Sequence, residues 1–98
     1  MLRISGGAFK GTALSTPRHI RATETKVRQA LYNILGQVVA GARVLDAFAG
    51  SGALGLEALS RGAAFAAFVD SDTEAILAIR DNLARASDAA PRENWRVV

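Results

Sequence analysis

Apolar and polar residues follow one another in short blocks whose spacing predicts an irregular N-terminal stretch and then a regular strand–helix succession. Leu2-Arg3-Ile4 and Thr12-Ala13-Leu14 flank Gly6-Gly7 and Gly11 and predict the two strands of a small hairpin. Residues 17–22 read as a linker, and Thr23 can cap a helix. In that helix Val27, Ala30, Leu31, Ile34 and Leu35 fall at i, i+3, i+4, i+7 and i+8, a single stripe, with Gly36 as its stop. Lys26 and Arg28 lie off the stripe and are expected to face solvent or a ligand. Tyr32 is expected in the core.

A second pattern begins at Ala42. Arg43-Val44-Leu45-Asp46-Ala47-Phe48 predicts a buried strand that runs into Ala49-Gly50-Ser51-Gly52, and a helix is expected over about 53–60, closed by Arg61-Gly62. Five consecutive apolar residues, Phe65 to Val69, predict a parallel strand covered on both faces. Asp72 then caps a helix with Ala75, Ile76, Ile79 and Leu83 on one side, and Asp81-Asn82 are expected on its wet face. Pro91 stops that helix, and Trp95-Arg96-Val97-Val98 opens a further strand, with Trp95 packing inward. The order β-α-β-α-β implies a parallel sheet with right-handed crossovers. Two and a half strands leave an edge and part of a face uncovered, an edge open to non-native association. The chain therefore reads as the N-terminal part of a longer α/β domain.

Composition narrows the chemistry. Half of the residues are hydrophobic, but 20 of the 98 are alanine, which buries little area. No apolar run reaches the roughly 18 residues of a membrane span, and no signal pattern opens the chain. There is no cysteine, and His19 is the single histidine. Disulfides, thiolate metal sites and a cysteine nucleophile are excluded, and no metal site is expected. A soluble, cytoplasmic protein is the expectation. The net charge of +3 hides a split, with +6 over residues 1–43 and −3 over residues 44–98. Ten of the twelve basic residues are arginine. Either the basic stretch contacts nucleic-acid phosphates, through Arg3, Lys10, Arg18 and Arg21, or these side chains simply solvate loops.

The chemistry centres on Gly50-Ser51-Gly52-Ala53-Leu54-Gly55, a G-x-G-x-x-G between a predicted strand and helix, with Asp70 twenty residues past Gly50 at the end of the next strand. Glycines permit tight turning and close approach of a ligand to the backbone, and the helix start offers free N–H groups. Asp70 can accept two ribose hydroxyls. The alternative is that the glycines only pack the helix on the sheet and Asp70 helps cap the next helix. Asp46, four residues before Gly50, would repel a pyrophosphate but could meet an ammonium group. A ligand with a ribose and a cationic amino-acid end is S-adenosylmethionine. Alternatively, Asp46 is a brace accepting backbone N–H bonds.

Asp46 to Gly55 resembles the first motif of Rossmann-like class I methyltransferases, and Phe68-Val69-Asp70 resembles their acidic second motif. Arg3-Ile4-Ser5-Gly6-Gly7, Lys10-Gly11, Leu14 and Pro17 are similar to the opening hairpin of the RsmD-type bacterial 16S ribosomal RNA guanine-N2 methyltransferases. So are Arg21-Ala22-Thr23 and Lys26 to Leu35, although Ala22 and Gln29 depart from the family's usual proline and glutamate. Asp70 stands where the family commonly has glutamate.

The resemblance implies a Rossmann-like fold over residues 23–98, truncated at its C-terminus, preceded by a basic hairpin and linker over residues 1–22. It implies an S-adenosylmethionine site formed by Asp46, Ala47, Phe48, Gly50, Ser51, Gly52, Asp70 and Ser71, with Asp72 also beside the adenine. Asp46 would orient the methionine end and Asp70 the ribose, and the family folds the Thr23–Arg28 segment back near the cofactor. The implied reaction is methyl transfer to the exocyclic amine of a guanine in 16S ribosomal RNA or a small-subunit assembly intermediate. The family's Asn/Asp-Pro-Pro-aromatic motif is absent, since Pro17 and Pro91 are the only prolines. No catalytic residue is therefore expected in this chain. Two other classes use the same features: an NAD(P)-dependent oxidoreductase, and a non-catalytic RNA- or cofactor-binding fragment.

Overall fold

The computed structural model describes residues 2–16, 25–47, 49–86 and 91–98. The element order is α1 (Thr25–Leu35), a 3-10 turn (Gly36–Val39), β1 (Arg43–Ala47), α2 (Ala53–Ser60), β2 (Phe65–Val69), α3 (Thr73–Arg85), a second 3-10 turn (Arg92–Asn94) and β3 (Trp95–Val97). The strands form a parallel sheet in the order β1-β2-β3, with Asp46 opposite Phe68 and Phe68 opposite Val97. The strand and helix patterns from Ala42 onward thus appear where the hydrophobic periodicity places them. The linker at 17–22 and the Thr23 cap lie outside the described residues.

Side chains alternate between the faces of a strand, so the register sorts the sheet into two sides. Val44, Asp46, Ala66, Phe68, Trp95 and Val97 share one side. There Ala66 and Phe68 are buried with Leu56 of α2 and with Ile79 and Leu83 of α3, and Val44, Trp95 and Val97 pack against the same cluster. Full burial of a side chain such as Phe68 contributes about 1.5–3 kcal/mol. The other side carries Arg43, Leu45, Ala47, Phe65, Ala67 and Val69. It stays largely open, with Leu45 68% exposed and the β2 residues only half-buried. β1, expected to be a buried strand, and β2, expected to be covered on both faces, are therefore each covered by the described residues on one face only. Successive β-α-β units running one way across a sheet stack their helices on the same side.

The N-terminal strands reduce to a single antiparallel bridge, Arg3 to Ala13, flanked by Leu14 N–H to Leu2 C=O at 2.9 Å and Ile4 N–H to Thr12 C=O at 3.1 Å. Ile4, Phe9 and Leu14 join the core of α2, α3 and the sheet. The helix α2 closes at Gly62, whose φ is +100°, and the hairpin caps its end, with Ala8 N–H donating to the Ser60 carbonyl at 2.7 Å and Phe9 N–H to Ser60 Oγ at 2.9 Å. Backbone carbonyls left over at a helix end need such partners.

α1 does not bury its hydrophobic stripe but a neighbouring side. Val27, Leu31, Ile34 and Leu35 are exposed, Ile34 to 83%, while Arg28 is wholly buried and Tyr32 nearly so. The Arg28 guanidinium donates to Glu57 Oε1 at 3.4 Å through Nε, and through Nη2 to the Arg3 carbonyl. Tyr32 donates its hydroxyl to the Leu54 carbonyl at 2.6 Å. Arg28, expected at solvent or a ligand, is instead the polar centre of the α1–α2 contact. The buried polar atoms on this side of α1 have hydrogen-bond partners, and the aliphatic stem of Arg28 adds to the contact. Asn82 departs in the same way, being fully buried instead of lying on the wet face, whereas Asp81 is exposed.

Candidate functional site

The site lies where β1 and β2 end side by side. Past β1 the chain stays tied to its neighbour: Ala49 N–H donates to the Val69 carbonyl at 2.9 Å, and Gly50 N–H to Asp70 Oδ2 at 3.0 Å. Gly52 N–H turns back to the Ala49 carbonyl at 2.8 Å. Gly50 and Gly52 have φ of +59° and +81°, in the left-handed region that only glycine enters cheaply. Gly55 has a different reason. A Cβ there would stand 2.3 Å from Phe68 Cε1, so the absent side chain is what lets α2 lie on β2.

Each carboxylate of the site is braced by backbone. Asp46 Oδ2 accepts the Gly55 N–H at 3.1 Å, giving α2 a cap from a neighbouring strand where its own N-cap, Gly52, has no side chain. Asp70 Oδ1 accepts the Asp72 N–H at 2.9 Å, and Asp72 caps α3 by accepting the Glu74 N–H at 3.1 Å. The bracing and capping roles considered for these residues are therefore real. They do not exhaust the groups, because an ionised carboxylate offers about four acceptor positions.

Burial pushes the Asp46 carboxyl up to about 6; the Gly55 N–H opposes that shift and the nearby Asp70 charge adds to it. Burial likewise raises Tyr32 to about 12, reinforced by Asp46 and Glu57. Glu57 goes the other way. Burial opposes its ionisation, but the Ser5 N–H, Arg61 and the Ser5 hydroxyl together hold its carboxyl below the ordinary glutamate value. Those bonds measure 2.9 Å to Ser5 N, 2.8 Å to Arg61 Nε and 2.9 Å to Ser5 Oγ. Glu57 thereby binds the hairpin, α1 and the end of α2 at one buried point.

Of the residues read as cofactor-binding, Asp46, Gly50, Ser51, Gly52 and Asp70 are brought together, the first four of them buried. Ala47 is exposed at the end of β1 and Ser71 is exposed just past Asp70. Phe48 lies outside the described residues. Of the four basic candidates, Arg3 and Lys10 are exposed, and Arg3 Nη1 donates to the Gly11 carbonyl at 2.9 Å. Arg18 and Arg21 lie outside the described residues. Arg28 is held by Glu57 and by the Arg3 carbonyl. Sequence reasoning misses Glu57 and Asn82. Each carries a signal: Glu57 is a lone acid in an otherwise apolar α2, and Asn82 falls at i+7 from Ala75, inside the stripe of α3. Among the described residues no group of acids or histidines is arranged to hold a metal, and no helix is long and apolar enough to cross a membrane.

Parallel strands joined through helices, a glycine turn after the first strand and an acid after the second define the Rossmann-like class I methyltransferase fold. The profile described as Conserved hypothetical protein 95 matches residues 2–96, and the chain belongs to that family. It is 46% identical over 85 residues to the ribosomal RNA small subunit methyltransferase D of Escherichia coli strain K12, covering 85% of this chain and 43% of that protein. Among solved structures, the yhhF protein of Escherichia coli superposes with a TM-score of 0.86 at 44% identity, covering 99% of this chain and 51% of that one. The Thermus thermophilus protein TTHA0928 gives 0.82 at 38% identity, covering 100% and 54%. The chain spans under half the length of the curated relatives it matches.

Proposed function

We propose that this chain is the S-adenosylmethionine-binding part of an enzyme that methylates the exocyclic N2 amine of a guanine in small-subunit ribosomal RNA. The observation that carries this reading is the pair of carboxylates, Asp46 and Asp70, on either side of a glycine turn whose Gly50 N–H is bonded to Asp70. Their mutual repulsion and the buried position of Asp46 are both relieved by a cation. A ligand with an ammonium and a sulfonium suits such a site, and a pyrophosphate does not. This disfavours the oxidoreductase alternative. The family relative named for small-subunit ribosomal RNA methylation supports the substrate class.

The residues present fit the cofactor. Asp70 keeps acceptor capacity on both oxygens for ribose hydroxyls, and the backbone from Phe48 to Gly52 would line the methionine end. Asp46 would face the ammonium group, with Ala47 beside it, and Ser71 and Asp72 would flank the adenine. The bound cofactor supplies an electrophilic methyl group. The chain's own contribution is to fix the cofactor's position, an effect worth several kcal/mol in an in-line displacement. Arg3, Lys10, Arg18 and Arg21 would meet RNA phosphates, whether in 16S ribosomal RNA or in a small-subunit assembly intermediate.

Calorimetric titration with S-adenosylmethionine and, separately, with NADH tests the reading. S-adenosylmethionine should bind and NADH should not. Asp70→Ala should weaken S-adenosylmethionine about tenfold or more, as expected when hydrogen bonds to a charged acceptor are lost. Unchanged affinity in Asp70→Ala, or preference for NADH, would overturn it.

A further inference from the structure

Asn82 sits on the core side of α3 with no solvent exposure. A buried primary amide has to satisfy two N–H groups and a carbonyl oxygen. Asn82 Oδ1 accepts the Ser15 N–H at 2.7 Å, while Nδ2 donates to the Ser15 carbonyl at 2.9 Å and to the Ser51 carbonyl at 2.8 Å. The two bonds to Ser15 imitate a strand partner and hold the end of the hairpin on α3. The third reaches the middle residue of Gly50-Ser51-Gly52, which is itself buried.

That third bond completes a constraint. The Ser51–Gly52 peptide is a rigid plane, with the Ser51 C=O on one side and the Gly52 N–H on the other. Ala49 holds the N–H side at 2.8 Å and Asn82 holds the C=O side. Glycine on both sides of Ser51 would otherwise let this plane rotate, since Gly50 and Gly52 have few steric limits. A loop already fixed in its binding geometry loses less entropy when a ligand arrives.

We infer that Asn82 is a positioning residue for the cofactor turn. It sets the orientation of the Ser51–Gly52 peptide before binding and joins that peptide to the root of the N-terminal basic segment at Ser15. The inference rests on the reading of this turn as the S-adenosylmethionine site.

Asn82→Asp is the direct test, because it keeps the acceptor for Ser15 N–H but turns the Nδ2 donor into an oxygen facing two carbonyls. Amide hydrogen exchange on the cofactor-free protein should show Gly52 accelerated about tenfold relative to the amides of β2, and S-adenosylmethionine affinity should fall about tenfold. Ser15→Ala is the control. It cuts only the Ser15 Oγ to Asp81 bond of 2.9 Å and should leave both readouts unchanged. Should the acid variant fail to fold, Asn82→Ala frees the same carbonyl without adding a charge. Uniform acceleration of all amides with unchanged affinity would mean a merely structural Asn82 and overturn the inference. Absence of S-adenosylmethionine binding by the wild type would instead sink the cofactor reading, leaving the Gly52 exchange to decide the role of Asn82 in the turn.

Discussion

Replacing Asp46 by Asn should make the cofactor-free protein more stable at neutral pH while harming the site. The buried Asp46 carboxyl titrates near 6 in the folded chain against an ordinary 3.8. The folded state therefore holds this proton more tightly than the unfolded state does. Asp46 contributes most to stability below about pH 4, and that contribution is lost as the pH rises through 6. At 1.36 kcal/mol for each pH unit, the ionised group costs about 3 kcal/mol at pH 7.5. Asparagine removes the charge and keeps an acceptor for the Gly55 N–H. Urea unfolding should show Asp46→Asn slightly more stable than wild type at pH 4 and more stable by about 3 kcal/mol at pH 7.5, out of the roughly 5–15 kcal/mol typical of a domain. S-adenosylmethionine should then raise the melting temperature of the wild type more than that of the variant. A variant no more stable than wild type at pH 7.5, or an advantage independent of pH, would refute the reasoning.

Arg28→Met leaves Glu57 buried with one cationic partner fewer, and should lower unfolding free energy by about 3 kcal/mol or more in chemical denaturation. Gly55→Ala forces a Cβ against Phe68 and should cost about 1–3 kcal/mol by the same measurement; pairing it with Phe68→Leu should recover part of the loss. Lys10→Ala should weaken binding to a ribosomal RNA fragment and reduce the slope of log affinity against log salt by about one, whichever sequence is used.

Elements whose burial is apolar and local are legible in the amino-acid sequence alone. β2 and α2 follow their hydrophobic runs, and α3 begins at the cap that Asp72 supplies. The glycine turn is legible too, because Gly50, Gly52 and Gly55 each answer a steric demand that few other residues could meet. Periodicity misleads at α1. Its most apolar stripe is exposed, while its buried side is built on Arg28 and Tyr32, whose partners Glu57 and Leu54 lie 29 and 22 residues away. No local pattern encodes a polar contact of that kind. Asn82 is similar: its burial is explained by Ser15, 67 residues earlier, and by a loop carbonyl 31 residues earlier. Asp46 and Asp70 are legible as a pair, and a bracing role for Asp46 is legible too, but the bond from Gly50 N–H to Asp70 emerges only once two strands lie side by side.

The docking of the hairpin has a consequence for the order of events during synthesis. Residues 2–16 leave the ribosome ahead of their partners, for Ser5 and Phe9 are held by Glu57 and Ser60, and Ser15 is held by Asn82. At about 5–20 residues per second these partners arrive several seconds later. Until then Ile4, Phe9 and Leu14 have no core to enter. Contacts of such long sequence separation form late because the intervening loop must close first. The hairpin thus docks only after partners made later than itself, and its arrival gives the Ser60 carbonyl at the end of α2 and the Asn82 side chain their hydrogen-bond partners.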